Sequence, residues 1–102
     1  MKREMNQYRQ LVKFARAEAY ACDLYADRKK HGSKKEIIKL VRKKFKSNKY
    51  ILEAVEAGAE SWNYHNETGP WYDDLKKKIG FFRHNDLVDA RKMVKYGYDY
   101  GF

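Results

Sequence analysis

Proline occurs once, at Pro70, and cysteine once, at Cys22, while glycine occurs six times. So little proline and glycine excludes a linker-like or low-complexity chain. A single cysteine excludes an internal disulfide framework and a four-cysteine zinc site. No apolar run approaches the roughly 18–20 residues that a membrane-spanning helix requires. The start, Met1 to Asn6, carries no apolar segment of the secretory kind. These absences lead to the expectation of a cytoplasmic protein with no membrane partner.

Catalytic signatures are equally sparse. The three serines, Ser33, Ser47 and Ser61, have no Gly-x-Ser-x-Gly around them. There is no glycine-rich phosphate loop, no His-Glu-x-x-His and no paired Cys-x-x-Cys. Asp23, Asp27 and His31 fall four apart and would share one stripe of a helix, but that stripe largely continues a polar face begun at Lys2. It reads as solvated. His65 and His84 sit in short polar stretches near helix caps. Cys22 lies on an apolar helical face, where a thiol packs inertly. The expectation is a non-enzyme with no metal site and no cofactor.

What the sequence does contain is charge, unevenly placed. The 102 residues hold 23 Lys plus Arg against 14 Asp plus Glu. Eleven of the basic residues lie between 28 and 49, with Glu36 the one acid among them. From Tyr50 to Leu75 the sign reverses: Glu53, Glu56, Glu60, Glu67, Asp73 and Asp74 face no Lys or Arg. A like-charged block of that density repels itself and is concentrated further by folding. Either an outside polyanion or the acidic segment must compensate it.

An apolar content of 43% suffices for one core, so residues 1–102 are expected to form a single helical domain. Three-and-four spacing predicts a long first helix over the first thirty residues. Its solvent stripe is Lys2, Asn6, Arg9, Lys13, Arg16, Asp23 and Asp27, interrupted at Tyr20. Its inward stripe is Met5, Tyr8, Leu11, Val12, Ala15, Ala19, Cys22 and Tyr25. Gly32 supplies a left-handed stop, and Ser33 with Glu36 forms a capping box. A second helix runs from Lys34 to about Lys46 with Ile37, Ile38, Val41 and Phe45 inward. A third, capped by Ser47 or Asn48, runs to about Tyr64. Its stripe is Ile51, Leu52, Val55, Gly58, Ala59 and Trp62, with Glu53, Glu56 and Glu60 opposite.

Pro70 opens a fourth helix that Gly80 stops, with acids in its first turn and lysines in its last. Phe81 and Phe82 then read as core plugs, and Asn85 as the cap of a fifth helix to about Tyr96. Residues 97–102 are an aromatic and glycine tail, docked or flexible. No strand is evident. The fold class is all-α: an irregular bundle of about five helices, one of them long and N-terminal, with short loops.

The leading functional expectation is a small basic accessory protein that contacts the phosphate backbone of DNA or RNA through its Lys/Arg-rich helix. The contacts would be Arg28, Lys29, Lys34, Lys35, Lys39, Arg42, Lys43, Lys46 and Lys49. Lysine outnumbers arginine there, which favours phosphate over guanine edges. A helix-turn-helix around Gly80 fails, because Lys76 and Asp86 occupy positions that should be small and apolar.

The alternative is a non-catalytic protein-binding inhibitor or modulator, phage-encoded, that targets a nucleic-acid enzyme or a host defence complex. The lysine, tyrosine and asparagine bias is that of an AT-rich microbial or phage genome. Its basic helix would meet an acidic protein surface, or its aromatics would dock: Trp71, Tyr72, Tyr96, Tyr98, Tyr100 and Phe102, expected to be exposed. A further alternative is a homo-oligomer pairing basic and acidic segments of two chains around a small anionic ligand.

Overall fold

The computed structural model describes residues 2–27, 33–59 and 70–97, with side chains from residue 7 onward. Five helices appear among them: α1 (Lys2–Ala26), α2 (Lys34–Lys44), α3 (Ile51–Ala59), α4 (Pro70–Ile79) and α5 (His84–Tyr96). No strand occurs among the described residues. The all-α architecture with a long N-terminal helix is therefore as the periodicity predicted.

α1 is the axis, in contact with each of the other four helices and most extensively with α3. Between residues 11 and 21 its exposed positions are Lys13 and Arg16 alone. Leu11, Val12, Phe14, Ala15, Ala17 and Ala21 are all buried there. The burial spreads well beyond the single stripe of Tyr8, Leu11, Val12 and Ala15, because α3 and α5 flank the helix on different sides. Arg9, Lys13, Arg16, Asp23 and Asp27 are exposed, as their spacing predicted. Tyr20 breaks that stripe because it is half-buried, edge-on to Phe45 at 5.9 Å between ring centroids.

Small residues set the α1–α3 distance. A Cβ on Gly58 would sit 3.0 Å from Ala21 Cβ, 3.0 Å from the Cys22 backbone nitrogen and 3.2 Å from the Glu18 carbonyl oxygen. Ala54 and Ala57 are fully buried on the same helix. The turn that leads into α3 is fastened to α1 by Asn48, whose Nδ2 donates to the Lys13 carbonyl at 2.9 Å. The same side chain accepts from the Tyr50 N–H at 2.8 Å, satisfying an amide at the start of α3. Tyr50 is buried and donates its hydroxyl to Gln10 Oε1 at 2.7 Å.

Several details depart from the sequence expectation. Glu53, placed on the solvent face, is buried at 6% exposure, whereas Leu52 is 49% exposed. α3 lies between α1, α2 and α4, so its covered arc is wider than one stripe, and Lys78 of α4 reaches Glu53 Oε1 at 2.7 Å. Phe82 is the core plug expected of it, but Phe81 is exposed. α5 begins at His84 with Arg83 at its cap position, so Asn85 lies two residues past the cap, inside the helix. There the Arg83 N–H donates to Asp86 Oδ2 at 3.4 Å. α2 ends at Lys44, two residues early, where the Phe45 N–H closes on the Val41 carbonyl at 2.9 Å. The predicted continuation of α3 through Glu60 and Trp62 to Tyr64 lies outside the described residues, as does the Gly32 stop.

The other corrected expectation concerns Trp71 and Tyr72. They are 2% and 8% exposed, so neither is the surface aromatic that the sequence suggested. Trp71 stacks on Phe14 with ring centroids 5.6 Å apart, and Tyr72 packs edge-on against both Trp71 and Phe82. Pro70 starts α4 so close to the core that its first two aromatic side chains enter it directly, together with Leu75 one turn on.

Candidate nucleic-acid interface

α2 is held to the bundle by a narrow apolar edge. Ile37 and Val41 are buried, and Ile38, Leu40 and Phe45 are half-buried against α1 and α3. Its start is fixed by Ser33, whose Oγ accepts from the Glu36 N–H at 3.4 Å. With those five apolar positions turned inward, a helical period must send the rest outward. Lys34, Lys35, Lys39, Arg42, Lys43 and Lys44 are all exposed, as are Lys46 and Lys49 in the turn beyond. Arg28 and Lys29, the other two expected contacts, lie outside the described residues.

Among the described residues, the acidic segment meets this block at one point. Lys34 pairs with Glu56 of α3, both about half exposed. Lys44 sits 4.4 Å above the Tyr20 ring, a cation–π contact. Lys35, Lys39, Arg42, Lys43 and Lys46 make no ion pair among the described residues. Glu53, the buried acid of α3, is engaged instead by Lys78 of α4, whose Nζ also donates to the Lys49 carbonyl at 3.2 Å. A single exposed ion pair offsets at most about 1 kcal/mol. Counting the described residues, the basic face is presented to solvent with its charge almost intact.

The aromatic candidates divide. Trp71 and Tyr72 are core. Tyr96 is 51% exposed at the end of α5, where Gly97 adopts a left-handed conformation with φ 73° and closes on the Met93 carbonyl at 2.8 Å. Tyr98, Tyr100 and Phe102 lie outside the described residues. Asp23 and Asp27 are exposed, and His31 lies outside the described residues. Among the described residues no group of three or more His, Cys, Asp or Glu could hold a metal ion. No helix there is long and apolar enough to cross a membrane.

The most consequential charged pair is one that periodicity did not single out. Glu18 of α1 and Arg91 of α5 are both completely buried. Arg91 Nε donates to Glu18 Oε1 at 2.8 Å and Nη2 to Oε2 at 2.6 Å, a two-pronged pairing in which fork meets carboxylate. The Arg91 guanidinium carbon lies 5.6 Å from the Trp71 ring centroid. The pair is internal structure, sealed from any ligand. A signal for it exists in hindsight: Glu18 stands among Ala15, Ala17, Ala19 and Ala21, and Arg91 falls one turn after Leu87.

Compared with protein-family models, with curated proteins and with solved structures, the chain finds no match.

Proposed function

We propose that this chain is a small, non-catalytic, cytoplasmic nucleic-acid-binding protein that grips the phosphate backbone of DNA or RNA through α2. One observation carries the reading: eight Lys and Arg side chains between Lys34 and Lys49 are exposed, and among the described residues Lys34 is the member that meets a carboxylate. Cations held this densely without internal compensation gain free energy when a polyanion replaces their counterions. Lysine is a point charge suited to phosphate, and with Arg42 the lone described arginine of the block, little base discrimination is expected. Burial of Trp71 and Tyr72 weakens the protein-docking alternative, which drew on them as surface anchors.

The test is a titration against labelled random-sequence duplex DNA and single-stranded RNA at several salt concentrations. Tight binding with a steep negative salt dependence is expected. Replacing Lys39, Arg42 and Lys43 together by alanine should weaken every sequence alike and flatten the salt slope by about 2 to 3. Undiminished binding by that variant would remove the reading, and no binding even at low salt would redirect attention to an acidic protein surface.

A further inference from the structure

The cations of α1 and those at the end of α2 come together in one place. A cleft of about 260 Å³ opens between α1 and the turn joining α2 to α3, lined by Lys13, Arg16, Lys44, Lys46, Ser47 and Asn48 over the Phe45 ring. Four cations from two elements surround it, and among the described residues no acid lines it. The nearest acids along α1 are unavailable: Glu18 is sealed against Arg91, and Asp23 lies two turns from Arg16. The carboxyl end of α2 contributes about half a negative charge, which offsets only a fraction of the four.

The turn that forms one wall of this cleft is fastened to α1. Asn48 ties the turn to the Lys13 carbonyl, and Phe45 is set edge-on against Tyr20 of α1. A second cleft, of about 280 Å³, runs on from the first along α1, again past Lys13 and Arg16 and reaching Arg9. Arg9, Lys13 and Arg16 stand at successive turns of one helical face, so the positive surface continues beyond α2 along α1.

We infer that this cleft seats a phosphodiester of the bound nucleic acid, with Arg16 supplying a two-pronged donor and Lys13, Lys44 and Lys46 the surrounding charge. The interface is then a corner built from two helices, and the strand passes from α2 over the cleft onto α1. This inference rests on the nucleic-acid reading of α2, and goes beyond it by adding residues that lie outside the basic segment.

Lys13→Gln with Arg16→Gln tests it, against the same labelled duplex DNA and single-stranded RNA. Both side chains are exposed, so the thermal midpoint should not move. Lys77→Gln with Lys95→Gln, exposed positions on α4 and α5, removes the same net charge elsewhere. The expected result is binding about tenfold weaker for the cleft pair, a salt slope shallower by about 1 to 2, and a clearly smaller loss for the control pair. Lys46→Gln, from the opposite wall, should act in the same direction by a few-fold. Native protein that binds while the cleft pair matches either the native protein or the control overturns the cleft and leaves the α2 reading standing. Native protein that binds neither probe at low salt overturns both.

Discussion

Two regions of this molecule handle charge in opposite ways. In the middle of α1, Glu18 is removed from water entirely and survives there because Arg91 meets both of its oxygens. On α2, six cations over eleven residues are left in water with one carboxylate partner between them among the described residues. The first arrangement is costly to desolvate and costly to break. The second costs the fold little and leaves its interaction energy unspent. Charge that builds the fold and charge that faces outward are therefore separable by burial, whatever their order along the chain.

That contrast can be broken most severely at Glu18. Glu18→Ala leaves a guanidinium buried without its carboxylate and should lower stability by about 3–5 kcal/mol in a denaturant melt. Replacing both partners, Glu18→Leu with Arg91→Met, should recover most of the loss, since matched apolar side chains avoid the desolvation cost. A double variant as unstable as the single one would mean that the pair contributes more than mutual neutralisation.

A smaller loss is expected where α3 presses on the same stretch of α1. Gly58→Val places methyl groups against Ala21 and against Cys22 backbone, neither of which can swing away. Overpacking of this kind should cost about 1–3 kcal/mol.

Tyr50 gives the contrast a dependence on pH. Burial, and secondarily the neighbouring Glu53 carboxylate, raise its phenol above the ordinary value of 10.0. The folded state thus holds its proton more tightly than the unfolded state does. Its contribution is fully present below about pH 10 and is lost as pH rises towards the folded value. Tyr50→Phe should cost about 1 kcal/mol at neutral pH, through the lost hydrogen bond to Gln10, and flatten the decline in thermal midpoint above about pH 10. Some decline should persist, because burial raises Tyr25 as well.

The smallest effect belongs to α2. Alanine at Lys39, Arg42 and Lys43 should leave stability within about 0.5 kcal/mol per site, since exposed side chains without partners hold nothing together. A large loss there would erase the distinction between the two regions.

Much of this was legible in the amino-acid sequence, for local reasons. Helix periods, the Ser33 cap, the Pro70 start and the glycine at 80 all act within a few residues, and each operates where it was expected. The exposure of Lys35, Lys39, Arg42 and Lys43 followed once Ile37 and Val41 were turned inward. What periodicity could not supply was the number of neighbours a helix has. Glu53 is buried because α3 is covered on several sides, and Glu18 meets a partner 73 residues away. Trp71 and Tyr72 are a different case. With Leu75 and Ile79 they repeat at one-turn intervals and could have been read as core; their place beside a proline loop obscured it. The meeting of Lys13 and Arg16 with Lys44 and Lys46 depends on how α2 lies on α1, which no spacing within either helix encodes.

The Glu18–Arg91 pair also bears on how the chain comes apart. If α5 alone peeled away, it would strand a carboxylate inside α1 and uncover one side of Trp71, so partial opening there is heavily penalised. Amide protons in the middle of α1 and in α5 should therefore exchange with solvent on one shared timescale, through a single opening event. Two helices carrying the two halves of the buried pair thus behave as one cooperative unit, while α2, held by a narrow apolar edge, one exposed ion pair and a cation–π contact, should open more readily than either.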